Sequence, residues 1–170
     1  MFEYSNITNN EKKVYLLTPM DFEMILAYVA SPLMAILLRL CFLTGTEINN
    51  LLELTYTDLS NLNSGFLKIR LLYGRIPDIP IDDGVRQMLQ PYAGEKPGRE
   101  FFFTHDDGST WSSAYVDSQI SEISEKSGIL FTADSLRESY FNTVVNNVLP
   151  QGRKRAKNKM MKEMISGLAA

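Results

Sequence analysis

The sequence predicts a mainly helical α+β domain with one small antiparallel β-sheet. Three observations lead there. Apolar residues recur at helical spacing in stretches bounded by capping residues and glycine stops, from Thr18–Pro19, from Ser31–Pro32 to Gly45, and from Ser112 to Gly128. The period drops to two at Phe66–Leu72, which a turn and a second short apolar run follow. The 170 residues are 45% apolar, with nine Phe and eight Tyr, enough for one domain with its own core.

Taken in order, Thr18 can cap, Pro19 suits the first helical position and Asp21 can reach back from the third, which predicts a helix from Pro19 to about Ala30. Ser31–Pro32 restarts a strongly apolar helix that ends near Thr44–Gly45 by a glycine stop. A short amphipathic helix over Ile48–Leu54 turns Leu51, Leu52 and Leu54 inward. In Phe66–Leu72, Phe66, Lys68, Arg70 and Leu72 share one face and Leu67, Ile69 and Leu71 the other. Tyr73–Gly74–Arg75 makes the turn and Ile76–Ile81 returns, with Pro77 and Pro80 marking a short edge strand.

Asp83 is read as the cap of a helix over Val85–Tyr92, and Ala93–Arg99, with two glycines and a proline, as a loop. Phe101–Phe103 reads as a short strand and Thr104–Thr110 as a polar turn. Ser112 caps a helix to about Lys126 that Gly128 stops. Ser135-x-x-Glu138 reads as the capping box of a helix through Asn147, with Asp134 as the alternative cap. Pro150–Gly152 breaks the chain, and Lys154–Ile165 can form a last basic, Met-rich helix.

Composition narrows the functional classes. Met1–Tyr15 is polar and has no signal-peptide core, and the apolar stretch Pro32–Leu43 is interrupted by Arg39 and far short of the ~20 residues that span a bilayer. A soluble cytoplasmic protein is the simple expectation, with no membrane partner. Cys41 is the only cysteine, lies in an apolar run and reads as a small buried hydrophobe. The net charge of -3 hides an asymmetry: Arg153–Glu163 carries six bases and one acid, and the rest of the chain 11 bases and 19 acids. An acidic body opposes sequence-independent attraction to DNA, whereas the basic tail suits phosphates or forms a solvated helix face.

His105 is the only histidine and sits in a turn beside Asp106 and Asp107. A general base needs a nucleophile and an orienting partner, and three adjacent turn residues rarely converge on a metal, so a surface residue is the preferred reading and no metal or cofactor is expected. Trp111, Tyr115 and Phe101–Phe103 read as core rather than a base-stacking platform. Met160, Met161 and Met164 form an adaptable apolar face, read as docking on the domain's own core in preference to a partner.

The order of these pieces resembles the catalytic domain of tyrosine recombinases of the phage integrase type. Thr44–Leu59 is similar to the family's first box, the hairpin ending in Ile79–Pro80–Ile81 to its lysine-bearing hairpin, and Thr132–Phe141 to its second box. The resemblance implies the division of the chain: a polar segment 1–16, an integrase-like domain 17–152, and the basic Met-rich helix 153–170, either part of that domain or a swapped tail.

In such recombinases two arginines and one or two histidines grip the scissile phosphate, a lysine protonates the leaving oxygen and a tyrosine attacks phosphorus. Arginine suits the task because its planar fork holds phosphate oxygens bidentately. Here Arg137 alone matches. Glu47 stands at the first arginine position, with Asn50 where an acidic residue usually follows, and Asp134 stands at a histidine position followed after Arg137 by Glu138. The hairpin turn offers Arg75 but no lysine, Leu168 aligns with the later histidine, and the resemblance places the nucleophilic tyrosine beyond it, so none is expected within these 170 residues. At ~5 Å and an effective dielectric of ~20, each of Glu47 and Asp134 costs roughly 3 kcal/mol against a phosphate charge. Because the family's two arginines lie side by side, Glu47 and Arg137 are expected to pair, the carboxylate standing in for the phosphate. The bland reading is that Asp134 caps its helix, Glu138 complements the helix dipole and Arg137 ties loops to the core.

The resemblance therefore implies a non-catalytic DNA-binding or regulatory protein of phage or mobile-element origin. Its DNA contacts would come from Arg153, Lys154, Arg155, Lys157 and Lys159, with Lys68, Arg70 and Arg75 of the hairpin, and its nucleic-acid partner would be double-stranded DNA. The alternatives are a protein-interaction module that engages itself or a related recombinase through the C-terminal helix, and a degenerate recombinase completed by residues supplied from elsewhere. Only about 16 residues precede Leu17, so the family's N-terminal DNA clamp is not expected in this chain.

Overall fold

A computed structural model describes residues 15–68, 78–94 and 100–143. The elements are α1 (Pro19–Leu26), α2 (Pro32–Thr44), α3 (Ile48–Leu52), a 3₁₀ turn (Asp58–Ser64), β1 (Phe66–Lys68), β2 (Asp78–Pro80), α4 (Asp83–Leu89) with a 3₁₀ turn (Gln90–Tyr92), α5 (Ser113–Ser127) and α6 (Ala133–Thr143). Mainly helical with one two-stranded antiparallel sheet, this is the expected fold class.

The apolar helix α2 is the centre. Met34, Ile36, Leu37, Leu38, Leu40 and Cys41 are buried along it, and α3, α4 and α6 pack against it. Such burial on several faces requires partners all round, at about 1.5–3 kcal/mol for each fully buried aliphatic side chain. Gly45 ends α2 at φ +67°, and the Tyr140 ring of α6 packs where a Cβ on Gly45 would project. No helix among the described residues is long and apolar enough to cross a membrane.

Caps explain most boundaries. At α1 the Thr18 hydroxyl accepts from the Asp21 amide at 3.1 Å, and the Asp21 carboxylate accepts from the Thr18 amide at 2.9 Å. The helix stops at Leu26, short of Ala30, because Tyr28 and Val29 donate to Ile25 and Leu26 three residues back and Ser31 is extended before Pro32. The third helix ends at Leu52 rather than Leu54, since Asp58 accepts from the Thr55 amide and hydroxyl and draws the chain into the next turn.

The cap of α4 is Asp82, not Asp83: its carboxylate accepts from the Val85 amide at 2.7 Å, while Asp83 pairs with Arg86 in the first turn. The cap of α6 is Thr132, neither Asp134 nor Ser135. The Ser135 amide donates to the Thr132 hydroxyl at 3.1 Å and the Thr132 amide to the Ser135 hydroxyl at 3.2 Å. Ser112 caps α5 and Gly128 stops it at φ +70°, as the sequence predicts.

The strands pair antiparallel, Phe66 with Pro80, Leu67 with Ile79 and Lys68 with Asp78. Leu67 is buried and its neighbours exposed, as period two requires. Phe101–Phe103 is not a strand and makes only an isolated bridge from Phe101 to Thr55. Phe102 and Phe103 are both fully buried, so the segment is covered on two sides rather than half-exposed like β1. They pack edge to face at 4.9 Å and lead on to buried Trp111 and half-buried Tyr115, a core cluster as expected. His105 stands edge-on to the Tyr115 ring at 4.5 Å in its turn.

Candidate functional site

A cleft of about 600 Å³ opens between the start of α3, one face of α5 and the first turn of α6. The glycine stop after α2 positions its first carboxylate. Glu47 occupies the N-cap place of α3 in extended backbone, yet its side chain makes no cap. Instead Glu47 Oε1 lies 3.2 Å from Arg137 Nη1. The expected pair of these two residues is present.

Arg137 projects from α6, which the Thr132 cap anchors. Its guanidinium carbon lies 5.5 Å from the centre of the Phe141 ring, one helical turn on, so the head is held between a carboxylate and an aromatic face. Its Nε is buried and finds no acceptor among the described residues. About half of each side chain of the pair is shielded, with 39% of Arg137 and 48% of Glu47 exposed, so the pair is water-screened and modest in strength.

Asp134, in the first turn of α6, and Asp117 of α5 also line the cleft, so three carboxylates and one guanidinium share its lining. Asn49, Ser113 and Ser121 add polar groups, and Cys41, Ile120 and Phe131 the apolar floor. Burial pushes the Cys41 thiol up to about 12, the Arg137 cation offsetting part of this and the Asp134 charge adding to it. The thiol is therefore a protonated wall of the cleft and not a nucleophile. Among the described residues no group of His, Cys, Asp or Glu is arranged to hold a metal ion.

Of the residues singled out in the sequence, Glu47, Asp134 and Arg137 meet in this cleft, and Glu138 is exposed on α6 outside its lining. Lys68 is exposed on β1. Arg70, Arg75, Arg153, Lys154, Arg155, Lys157, Lys159 and Leu168 lie outside the described residues. Asp117 was not anticipated, although Ser113, Asp117 and Ser121 form an i, i+4, i+8 polar stripe on α5 that marks a face turned to an aqueous cleft. The described residues carry five Lys and Arg against sixteen Asp and Glu, a surface that repels phosphates.

The fold is shared with solved structures. One is XerA recombinase (TM-score 0.69, 15% identity, covering 79% of this chain and 52% of that one). A second is the integrase from mycobacterium phage Brujita (TM-score 0.66, 15% identity, 83% and 47%). A third is the Tn1549 transposon integrase in complex with transposon right end DNA (TM-score 0.69, 16% identity, 84% and 57%). The chain spans about half the length of these proteins, and at such identities the likeness shows the fold alone. No curated protein matches the sequence. The model of the phage integrase family matches residues 16–152, most of the chain and all three parts of the cleft. The chain belongs to the phage integrase family.

Proposed function

We propose that this chain is a non-catalytic member of the family that acts as a DNA-binding or regulatory protein. One observation carries the reading: the Glu47 carboxylate occupies the Arg137 guanidinium at 3.2 Å, where an anionic substrate oxygen would otherwise bind. A phosphate entering the cleft has to displace Glu47 and also meets Asp134 and Asp117, so its binding is opposed by charge as well as by occupancy. The Cys41 thiol in the cleft wall is buried and protonated, so it is not an activated nucleophile.

DNA contact, on this reading, belongs to cations away from the cleft: Lys68 on β1, with Arg70, Arg75 and the run Arg153, Lys154, Arg155, Lys157 and Lys159. The Tn1549 integrase of the same fold was solved on DNA, which makes double-stranded DNA the partner to test first. Incubation with nicked, trapping DNA substrates should give no covalent protein–DNA adduct, and a gel shift should appear at low salt and fade steeply as salt rises. An adduct would instead identify a degenerate recombinase. No shift at any salt, together with a stable complex with a related recombinase, would identify an interaction module.

A further inference from the structure

A second concavity, of about 320 Å³, lies between α1, the second half of α2 and the end of α6, and its described lining shares no residue with the cleft. Its volume stands at the low end of the ~300–1,000 Å³ that suits small molecules. Phe22 and Phe42, stacked at 4.1 Å between ring centres, form its floor, with Leu43 and Tyr140 as walls. Phe42, Leu43 and Tyr140 are half-buried and keep apolar surface open to a ligand. Among the described residues of the lining, only Arg39 and Glu23 carry charge.

The Arg39 head is only partly engaged. Its Nε and Nη2 share one edge of the planar guanidinium, the edge that holds a carboxylate by two parallel hydrogen bonds. Glu23 approaches Nη2 at 3.4 Å, longer than the ~2.7–2.9 Å of a well-formed charge-assisted bond. The buried Nε has no acceptor among the described residues. A buried donor without a partner carries its full desolvation cost, which an oxygen brought by a ligand removes. The Glu23 side chain is 64% exposed against 25% for Arg39, so Glu23 can turn into water while Arg39 stays in the wall.

We propose that this groove binds a small amphipathic monocarboxylate. The ligand carboxylate takes the Nε–Nη2 edge of Arg39 in place of Glu23, and the apolar body lies against Phe42, Leu43 and Tyr140. Each half of the ligand answers a feature of the wall. An inorganic anion leaves the rings facing water, and a neutral hydrocarbon leaves Nε unmet. A primary amine meets the guanidinium as a like charge.

The site also touches the rest of the fold at a defined point. Tyr140 walls the groove and packs against Gly45, so a ligand on that ring is felt at the stop of α2. Binding there is independent of the DNA reading, because the cleft contributes none of the groups involved.

The test titrates the full chain with octanoate below its micelle concentration, read by NMR of labelled aromatic rings and backbone amides. Saturable shifts of the Phe42 and Tyr140 rings and the Gly45 amide are expected. Octanol and octylamine should bind at least about tenfold more weakly, and inorganic phosphate should leave the rings unmoved. Arg39→Gln should weaken octanoate about tenfold or more. Glu23→Gln removes the competing carboxylate from an exposed position and should tighten octanoate roughly twofold to fivefold. This second variant decides the matter should Arg39→Gln fail to fold. The proposal is overturned by the absence of saturable shifts, or by octanol or octylamine binding as well as octanoate. Ring shifts with phosphate, which would mark a general anion site, overturn it too, as does a Glu23→Gln affinity equal to or below that of the unaltered chain.

Discussion

Arg137 Nη1 sits 3.2 Å from Glu47 Oε1, and the two residues come from segments 90 positions apart that meet across one cleft. The contact joins the entry to α3 to the first half of α6, two pieces of the same cleft lining. Because both groups are about half exposed, Glu47→Gln should change the unfolding free energy by less than about 1 kcal/mol in urea titrations. Its effect on anion binding should be larger than its effect on stability. Glu47→Arg should make DNA retention steeper in salt, with the slope of log K against log salt more negative by about one unit for each phosphate gained. An unchanged slope would show that the cleft does not meet DNA even when its charge is reversed.

A second prediction concerns Gly45 and Tyr140. Gly45→Ala introduces a Cβ into the Tyr140 ring at a left-handed backbone position, so it should destabilise the fold by about 2 kcal/mol or more. Trimming Tyr140 to Ala relieves the clash and leaves the φ penalty of roughly 1–2 kcal/mol. The double variant should therefore be more stable than the sum of the two single losses predicts, as measured by a double-mutant cycle. Strict additivity would mean that the ring yields without cost.

The Thr18–Asp21 capping box should be visible in pH dependence. Hydrogen bonds from the Thr18 side chain and amide hold the Asp21 carboxyl below its ordinary value. A depressed folded-state pKa means that the contribution is complete above the unfolded-state carboxylate range and is lost as pH falls through the lowered folded value. Thr18→Ala should cost about 1 kcal/mol at neutral pH. The gap between wild type and Asp21→Asn should close on acidification, and thermal unfolding at neutral and strongly acid pH measures it.

Cys41 should resist thiol reagents in the folded protein at neutral pH. It is buried, its thiol is pushed up to about 12, and the Ala133 carbonyl lies 4.0 Å from its sulfur. Labelling should become rapid in denaturant. Fast labelling of the native chain would mean that α2 and the start of α6 separate frequently.

Local chemistry made much of the fold legible. Thr18–Pro19, Ser31–Pro32 and Ser112 with Gly45 and Gly128 mark helix ends because caps and left-handed stops act within a few residues. Errors fell where neighbouring candidates compete. Asp82 and Asp83 are equally good caps in isolation, and so are Thr132, Asp134 and Ser135, and only the path of the preceding chain selects one. Phe101–Phe103 resembled a strand because β-propensity is a surface-fit preference that burial of adjacent rings overrides.

For the site, residue identity alone established that carboxylates stand at Glu47 and Asp134 and that Arg137 remains, since charge sign is a property of composition at a position. Whether those charges meet depends on how α2, α3, α5 and α6 pack, because an ion pair decays over a few ångströms and no local rule sets the distance between residues 90 apart. Tertiary packing likewise brought Asp117 into the cleft and left the Nε of Arg39 buried beside a ring-lined groove. Sequence determined which charges and caps the chain owns, and packing decided which of them face one another.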